Sequence, residues 1–301
     1  MSTPTRDHVR IDGADALLDQ ITAALAGPDM ATGVLGQIGD RLARGAATLD
    51  LAAARRTSIS SGRSVVIAYR PGGPALAVRW FAPGVPTTIH GHGTWGVAVV
   101  VEGHQVCERW EATGAGRARL AEEHDLVAGD IIHWGPPPGD VHRQQGARAG
   151  ALEVIALGGA PSEGPVYEPG SVLERAADAL RRYDLSGLRE LCRADLVLDA
   201  NTPHWRFQLQ GPGTVFEAIT AGLAGIEEPR VTSSRVTRAA SAVAVEVEVR
   251  SGQGDQERMW REVHLLRGGD DGIAEDTTYC TGIWDRPAIA RHAAEAPMVW
   301  R

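Results

Sequence analysis

The sequence predicts an all-β unit preceded by a short helical segment, then a separate α+β unit. Three observations carry this. Apolar residues recur at helical spacing early in the chain and change toward a period of two at Thr57. Residues 160–170, APSEGPVYEPG, are rich in Pro, Gly and Ser and read as a linker. Beyond them the pattern restarts with helices and closes on long alternating runs. At 301 residues the chain has room for about two domains, each with an adequate core.

Residues 1–12 are polar and read as a frayed start. In ADALLDQITAAL, Leu17, Leu18, Ile21 and Leu25 recur at helical spacing, and a second helix is expected over Ala31 to Arg44. SSGRSVVIAYRPGGPALAVRWFAPG reads as two strands joined by the turn Pro71-Gly72-Gly73-Pro74. Next comes GVPTTIHGHGTWGVAVVVEG, which sets His90 and His92 one residue apart inside a β-type run. Alternate side chains of a strand share a face, so the two should point the same way. QVCERWEA and RARLAEE alternate as strands, and Ala128-Gly129-Asp130 is a turn. In PPPGDVH the proline tract restricts φ and has few donors, so it can hold His142 in a fixed position.

These residues carry a resemblance. Gly84, five intervening residues, His90-x-His92 and the closing Gly103 resemble the first cupin motif, and Pro137-x-Gly139-x-x-His142 resembles the second. The resemblance implies an all-β cupin, a double-stranded β-helix barrel over residues 57–160, with residues 1–56 as a helical N-terminal cap. It implies a metal held by His90, His92 and His142. Most cupins of this kind place a glutamate where this chain has Gly96 or Val97. Three neutral imidazoles suit iron, zinc, copper or nickel and favour an anionic co-ligand such as a thiolate. The pattern H-x-H-x-x-W-G without the glutamate is similar to the cysteine dioxygenase and 3-mercaptopropionate dioxygenase group, which implies Fe(II) with O2 as co-substrate; zinc and nickel are the alternatives. Arg63 in GRSVV stands where that group has an arginine for the substrate carboxylate, and Arg79 is a rival anchor. Trp95 either walls the pocket or fills the barrel. One departure is marked: the group's Ser-x-His-x-Tyr relay is replaced by Glu153, Ile155 and Leu157.

After the linker, 161–170, come SVLERAADALRRYDLSGLRELC, a strand-like LVLDAN, the helix GPGTVFEAITAGL and a closing set of strands. These resemble the NTF2-like, or SnoaL-like, α+β cone over residues 171–301. In such a cone Asp199, His204, Trp205, Trp260, His264, Asp276 and Tyr279 are pocket candidates, with His264 and Asp276 readable as a base and its orienting partner. A polar core, or a homodimer interface through the sheet, is the alternative.

Composition narrows the partners. The net charge is −8, all 30 basic residues are Arg, and no basic run occurs, which argues against nucleic acid. Cys107, Cys192 and Cys280 are scattered, so neither a disulfide framework nor a cysteine zinc site is expected. No run of 18 apolar residues and no basic-then-apolar leader occurs, so no membrane partner is expected and a cytoplasmic location is. The expected function is a mononuclear non-haem iron(II) oxygenase acting on a small anionic, sulfur-containing metabolite. The alternatives are a metal cupin isomerase or lyase acting by Lewis acidity, and a non-catalytic small-molecule binding protein.

Overall fold

A computed structural model describes residues 8–25, 32–159, 164–239 and 241–295. Residues 1–7 of the expected frayed start and 161–163 of the expected linker lie outside it. The chain divides into two compact units, one ending at Glu168 and one beginning at Pro169.

The first unit opens with helices α1 (Ala14–Ala24), α2 (Thr32–Ala46) and α3 (Ala52–Ser61). Residues 8–12 are tied down rather than frayed: the Val9 amide donates to the Val66 carbonyl at 3.0 Å and Ile11 is buried. Leu17, Leu18 and Ile21 of α1 and Leu35, Ile38 and Leu42 of α2 are buried, which is the 3.6-residue periodicity put to use. α3 overlaps the point where a strand pattern was expected to begin. It ends where Gly62 adopts φ 65° and its amide bonds the Ser58 carbonyl, a left-handed C-cap.

The strands are β1 (Val65–Tyr69), β2 (Ala75–Phe81), β3 (Ile89–His90), β4 (Gly96–Gly114), β5 (Arg117–Val127), β6 (Ile131–Trp134), β7 (His142–Leu157) and β8 (Val166–Pro169). They form one sheet in the order β1-β2-β7-β3-β8-β5-β4-β6, and β4 also pairs with β7. The path β7-β3-β8-β5-β4 therefore returns to β7 and closes a barrel, which removes exposed edges from that ring. β8 takes up part of the expected linker: Tyr167 pairs with Ile89, and Val166 with His90. Alternation divides the two sheet faces. Val97, Val99, Val154 and Ala156 pack in one cluster with the helices, while Ala98, Val100, Ile155 and Leu157 pack in the barrel interior. Gly103, at φ 84°, sits against the Gly150 carbonyl in a space no side chain could share, and the β4–β7 register shifts there.

The second unit holds helices α4 (Val172–Arg181), α5 (Leu185–Glu190), α6 (Pro212–Gly222) and α7 (Arg286–Glu295). Its strands are β9 (Cys192–Asn201), β10 (Arg206–Gln210), β11 (Arg230–Ala239), β12 (Ala242–Ser251), β13 (Arg258–Gly269), β14 (Gly272–Cys280) and β15 (Trp284–Asp285). Six run in the order β10-β9-β14-β13-β12-β11, with β15 beside β13. One face of this sheet, carrying Val243, Val245, Val247, Val249, Trp260 and Leu266, forms a core with residues of α4, α5 and α6. Ser171 caps α4 by accepting the Glu174 amide at 3.1 Å. Among the described residues no helix is long and apolar enough to cross a membrane.

Candidate metal centre

The site begins with a cross-strand pair. His90 on β3 lies directly opposite His142 on β7, so their rings meet on one face, with centroids 4.9 Å apart. His92 arrives differently from the expectation that it shares a strand with His90, because β3 ends at His90. His92 lies in the loop beyond, and its amide donates to the Asp140 carboxylate at 2.8 Å. The ligand-type atoms of His90, His92 and His142 all lie within 4.8 Å of one another, and Nε2 of His92 is 3.3 Å from Nε2 of His142.

Two tautomers are fixed by the backbone. Nδ1 of His90 faces the Thr88 carbonyl at 2.9 Å and Nδ1 of His142 faces the Asp140 carbonyl at 3.0 Å. A carbonyl only accepts, so each Nδ1 carries the proton and each Nε2 is left with a free lone pair. Burial disfavours protonation of all three rings: it lowers His90, lowers His92 to about 4 with help from the charge of His90, and lowers His142 well below the ordinary histidine value. Neutral imidazoles are the form that ligates a metal, so the donor set fits a transition metal with nitrogen ligands.

Trp134 explains why no carboxylate joins them. It pairs across the strands with Gly96, and a Cβ at Gly96 would overlap the Trp134 indole. That indole stacks on His92 with ring centroids 5.4 Å apart and lies 4.7 Å from His142. Of the two positions where the resemblance places a glutamate, the space at Gly96 is thus filled by a ring from β6, and Val97 faces the cluster shared with the helices.

The barrel interior also holds a polar set. Glu153 on β7 is wholly buried and lies directly opposite Arg79 on β2. Its carboxyl accepts from the Gln105 amide at 2.7 Å and from the Gln144 amide at 3.0 Å. Burial raises Glu153 to about 7, while the two amides and Arg79 act in the opposite direction. Arg79 is half-buried, with its guanidinium 5.7 Å from the Phe81 ring centroid, and burial followed by the charge of Arg63 lowers its pKa. Its field reaches His90 and Glu153. A second buried pair, Arg143 and Glu108 at 2.6 Å, stands beside Trp110 and braces β7 one residue past His142.

The other expected anchors fall elsewhere. Arg63 is exposed at the end of α3. Trp95 is not a wall beside the histidines but belongs to the core shared with the helices, on the sheet face opposite Trp134, because its parity is that of Val97. Sequence reasoning passed over Trp134, Asp140, Gln105 and Gln144 as site residues. Asp140 alone carried a signal: it is an acidic residue inside the histidine motif itself.

In the second unit the candidates separate onto two faces. His264 and Asp276 come together, Nδ1 to Oδ2 at 3.0 Å, and Thr278 and Glu262 complete a cluster around the ring. Burial would lower His264, but Asp276 and Glu262 outweigh it and raise the pKa to about 10. The raised pKa favours the charged form of the ring, which fits the alternative reading of a buried polar core more closely than a base with its orienting partner. Trp260 shares that face, fully buried edge-on against Tyr183 with centroids 5.8 Å apart. Asp199 lies on the other face, where Arg206 binds its carboxylate bidentately at 2.7 and 3.0 Å. Tyr279 is half-exposed on that face too, while His204 and Trp205 are exposed between β9 and β10. The expected pocket set is therefore not one constellation.

No family model matches the chain, and no curated protein matches it. Solved structures that it resembles include an uncharacterised double-stranded β-helix protein from Klebsiella pneumoniae, 18% identical over 35% of this chain and 84% of that one, with a TM-score of 0.28. A cupin superfamily protein from Desulfitobacterium hafniense is 13% identical over 32% of this chain and 76% of that one, with a TM-score of 0.26. An NTF2-like protein of unknown function from Cytophaga hutchinsonii is 16% identical over 35% of this chain and 92% of that one, with a TM-score of 0.29. Likenesses this distant carry no functional argument, and the chemistry rests on the histidines themselves.

Proposed function

We propose that the first unit is a metal-dependent oxidoreductase of the cupin type, in which Nε2 of His90, His92 and His142 hold a single metal ion. The observation that carries this reading is the convergence of three neutral imidazoles, two with their Nδ1 protons committed to backbone carbonyls. Fe(II) is the first candidate and zinc or nickel the alternatives. When bound, iron would supply the site where an anionic substrate and O2 meet.

The chain's own residues do the rest. Trp134 closes the position a protein carboxylate would take, so the ligand set stays neutral and favours an anionic substrate. Arg79, half-buried with no ion pair among the described residues, is the group we assign to a substrate carboxylate, in place of the exposed Arg63. Glu153, held by Gln105 and Gln144 opposite Arg79, is the acidic group of the interior. It replaces the first residue of the thiol dioxygenase relay, so no relay proton path is assigned, and the substrate class we assign, a small sulfur-containing acid, rests on the neutral three-imidazole set and Arg79. The second unit is read as an NTF2-like cone, supported by its strand order and by one sheet face packing on α4, α5 and α6.

Protein purified without added metal, assayed for elemental content and for O2 uptake over a panel of small thiol acids, tests the reading. Metal-dependent uptake with at least one thiol is expected. Anaerobic turnover of a substrate with no O2 uptake would replace the oxidoreductase with a Lewis-acid isomerase or lyase.

A further inference from the structure

His92 poses a problem that the strand pairing does not solve. His90 and His142 are fixed by the sheet, but His92 lies past the end of β3, where no ladder fixes its backbone. What fixes it is Asp140. One carboxylate oxygen, Oδ2, accepts the amide of His92 at 2.8 Å and the amide of Gly93 at 2.7 Å. The approach is so close that a Cβ at Gly91 would stand 2.9 Å from the same oxygen, which is why a glycine separates the two histidines. The backbone of Asp140 meanwhile accepts from Nδ1 of His142 at 3.0 Å. One residue therefore ties the first histidine motif to the second and orients a ring in each.

Its charge is equally placed. Asp140 is 2% exposed and no arginine ion pair engages it among the described residues. Its field acts on both His90 and His92, favouring positive charge there. Two peptide N–H groups converge on its carboxylate, at 2.8 and 2.7 Å. It sits one shell outside a ligand set that has no carboxylate of its own.

We infer that Asp140 is the positioning residue of the centre: its side chain sets His92, its main chain sets His142, and its negative charge supplies from outside the ligand set what the missing carboxylate would supply within it. The inference rests on the metal-binding reading above. Partners of this kind, one shell out, typically change metal affinity by roughly 10- to 100-fold.

The test uses the full chain, stripped of metal, with Co(II) as the probe, since its visible bands report ligand geometry and its titration reports affinity. Asp140→Ala removes both roles, and should weaken Co(II) binding roughly 10- to 100-fold and shift the bands. Asp140→Asn keeps an oxygen for both amides but removes the charge. It should weaken binding by about 10-fold with band positions and apo melting temperature unchanged, an effect that a merely structural role would not produce. Wild-type affinity in Asp140→Asn, or wild-type affinity and bands in Asp140→Ala, would overturn the inference. Should Asp140→Ala fail to fold, Asp140→Asn decides alone. Failure of the underlying reading looks different: the wild-type chain would bind Co(II) no better than His142→Ala.

Discussion

Gly96→Ala is the smallest change that tests why this centre has three histidines and no carboxylate. Gly96 has ordinary strand geometry, so alanine is not opposed by the backbone. What opposes it is the Trp134 indole, which occupies the volume of the new methyl group. Overpacking of this kind costs about 1–3 kcal/mol. With Trp134 already truncated, the obstacle is gone, and Gly→Ala at a compatible site gains about 0.4–1 kcal/mol by restricting the unfolded chain. The substitutions should therefore couple by about 1.5–4 kcal/mol. Trp134→Ala alone should cost about 3–5 kcal/mol and loosen His92 and His142, whose rings it stacks against. A double-mutant cycle by calorimetry, following the transition that moves in Trp134→Ala, measures the coupling. Equal costs for Gly96→Ala with and without Trp134 would show that the indole does not exclude a side chain at 96.

Further outcomes are expected. Arg79→Ala should raise KM by roughly 10- to 150-fold, the loss of about 1.5–3 kcal/mol for a charged hydrogen bond, with metal content unchanged; Arg63→Ala should be near neutral, and the reverse result in steady-state kinetics would return the anchor to Arg63. Glu153 holds a proton in the folded state between about 4.5 and about 7 that the unfolded chain has lost, so its contribution falls as pH rises across that window. Glu153→Gln should flatten that part of a stability–pH profile taken by urea unfolding. His264 has the opposite partners and a raised pKa, so the ion pairs around it contribute fully below about 6.5 and are lost as pH rises through about 10. His264→Gln should remove this alkaline loss from the second unit's melting profile, and an unchanged slope would remove His264 from the account.

The parts of the fold written in local periodicity were legible. The face of α1 and α2, the turn at Pro71–Pro74 and the alternation of β4 and β7 follow from spacing alone. α3 was not legible, because AAARRTSISS has a weak apolar stripe and Thr57 and Ser58 read as easily into a strand. β8 was hidden inside a Pro- and Gly-rich stretch, since its role is to pair with β3, and pairing across 76 positions for Val166 and His90, or 78 for Tyr167 and Ile89, leaves no local mark. The histidine trio was legible because its motif spacing stands in the sequence, and strand register brings two of the three, His90 and His142, together. Trp134 was not, since it acts on Gly96, 38 positions away; Asp140 was marked only by its place inside the histidine motif, and its contact with His92, 48 positions away, shows only in the folded backbone. Trp95 was misplaced for the plainest reason: one residue of parity separates the barrel interior from the face under the helices.

The most direct test of the account is the metal stoichiometry of the purified chain beside His90→Ala, His92→Ala and His142→Ala, with His104→Ala, His124→Ala and His133→Ala as controls. The account predicts about one metal ion per wild-type chain, greatly reduced metal in each of the first three with the apo melting temperature near wild type, and full metal in the controls. Full occupancy in His142→Ala, or equal loss in the controls, would contradict it.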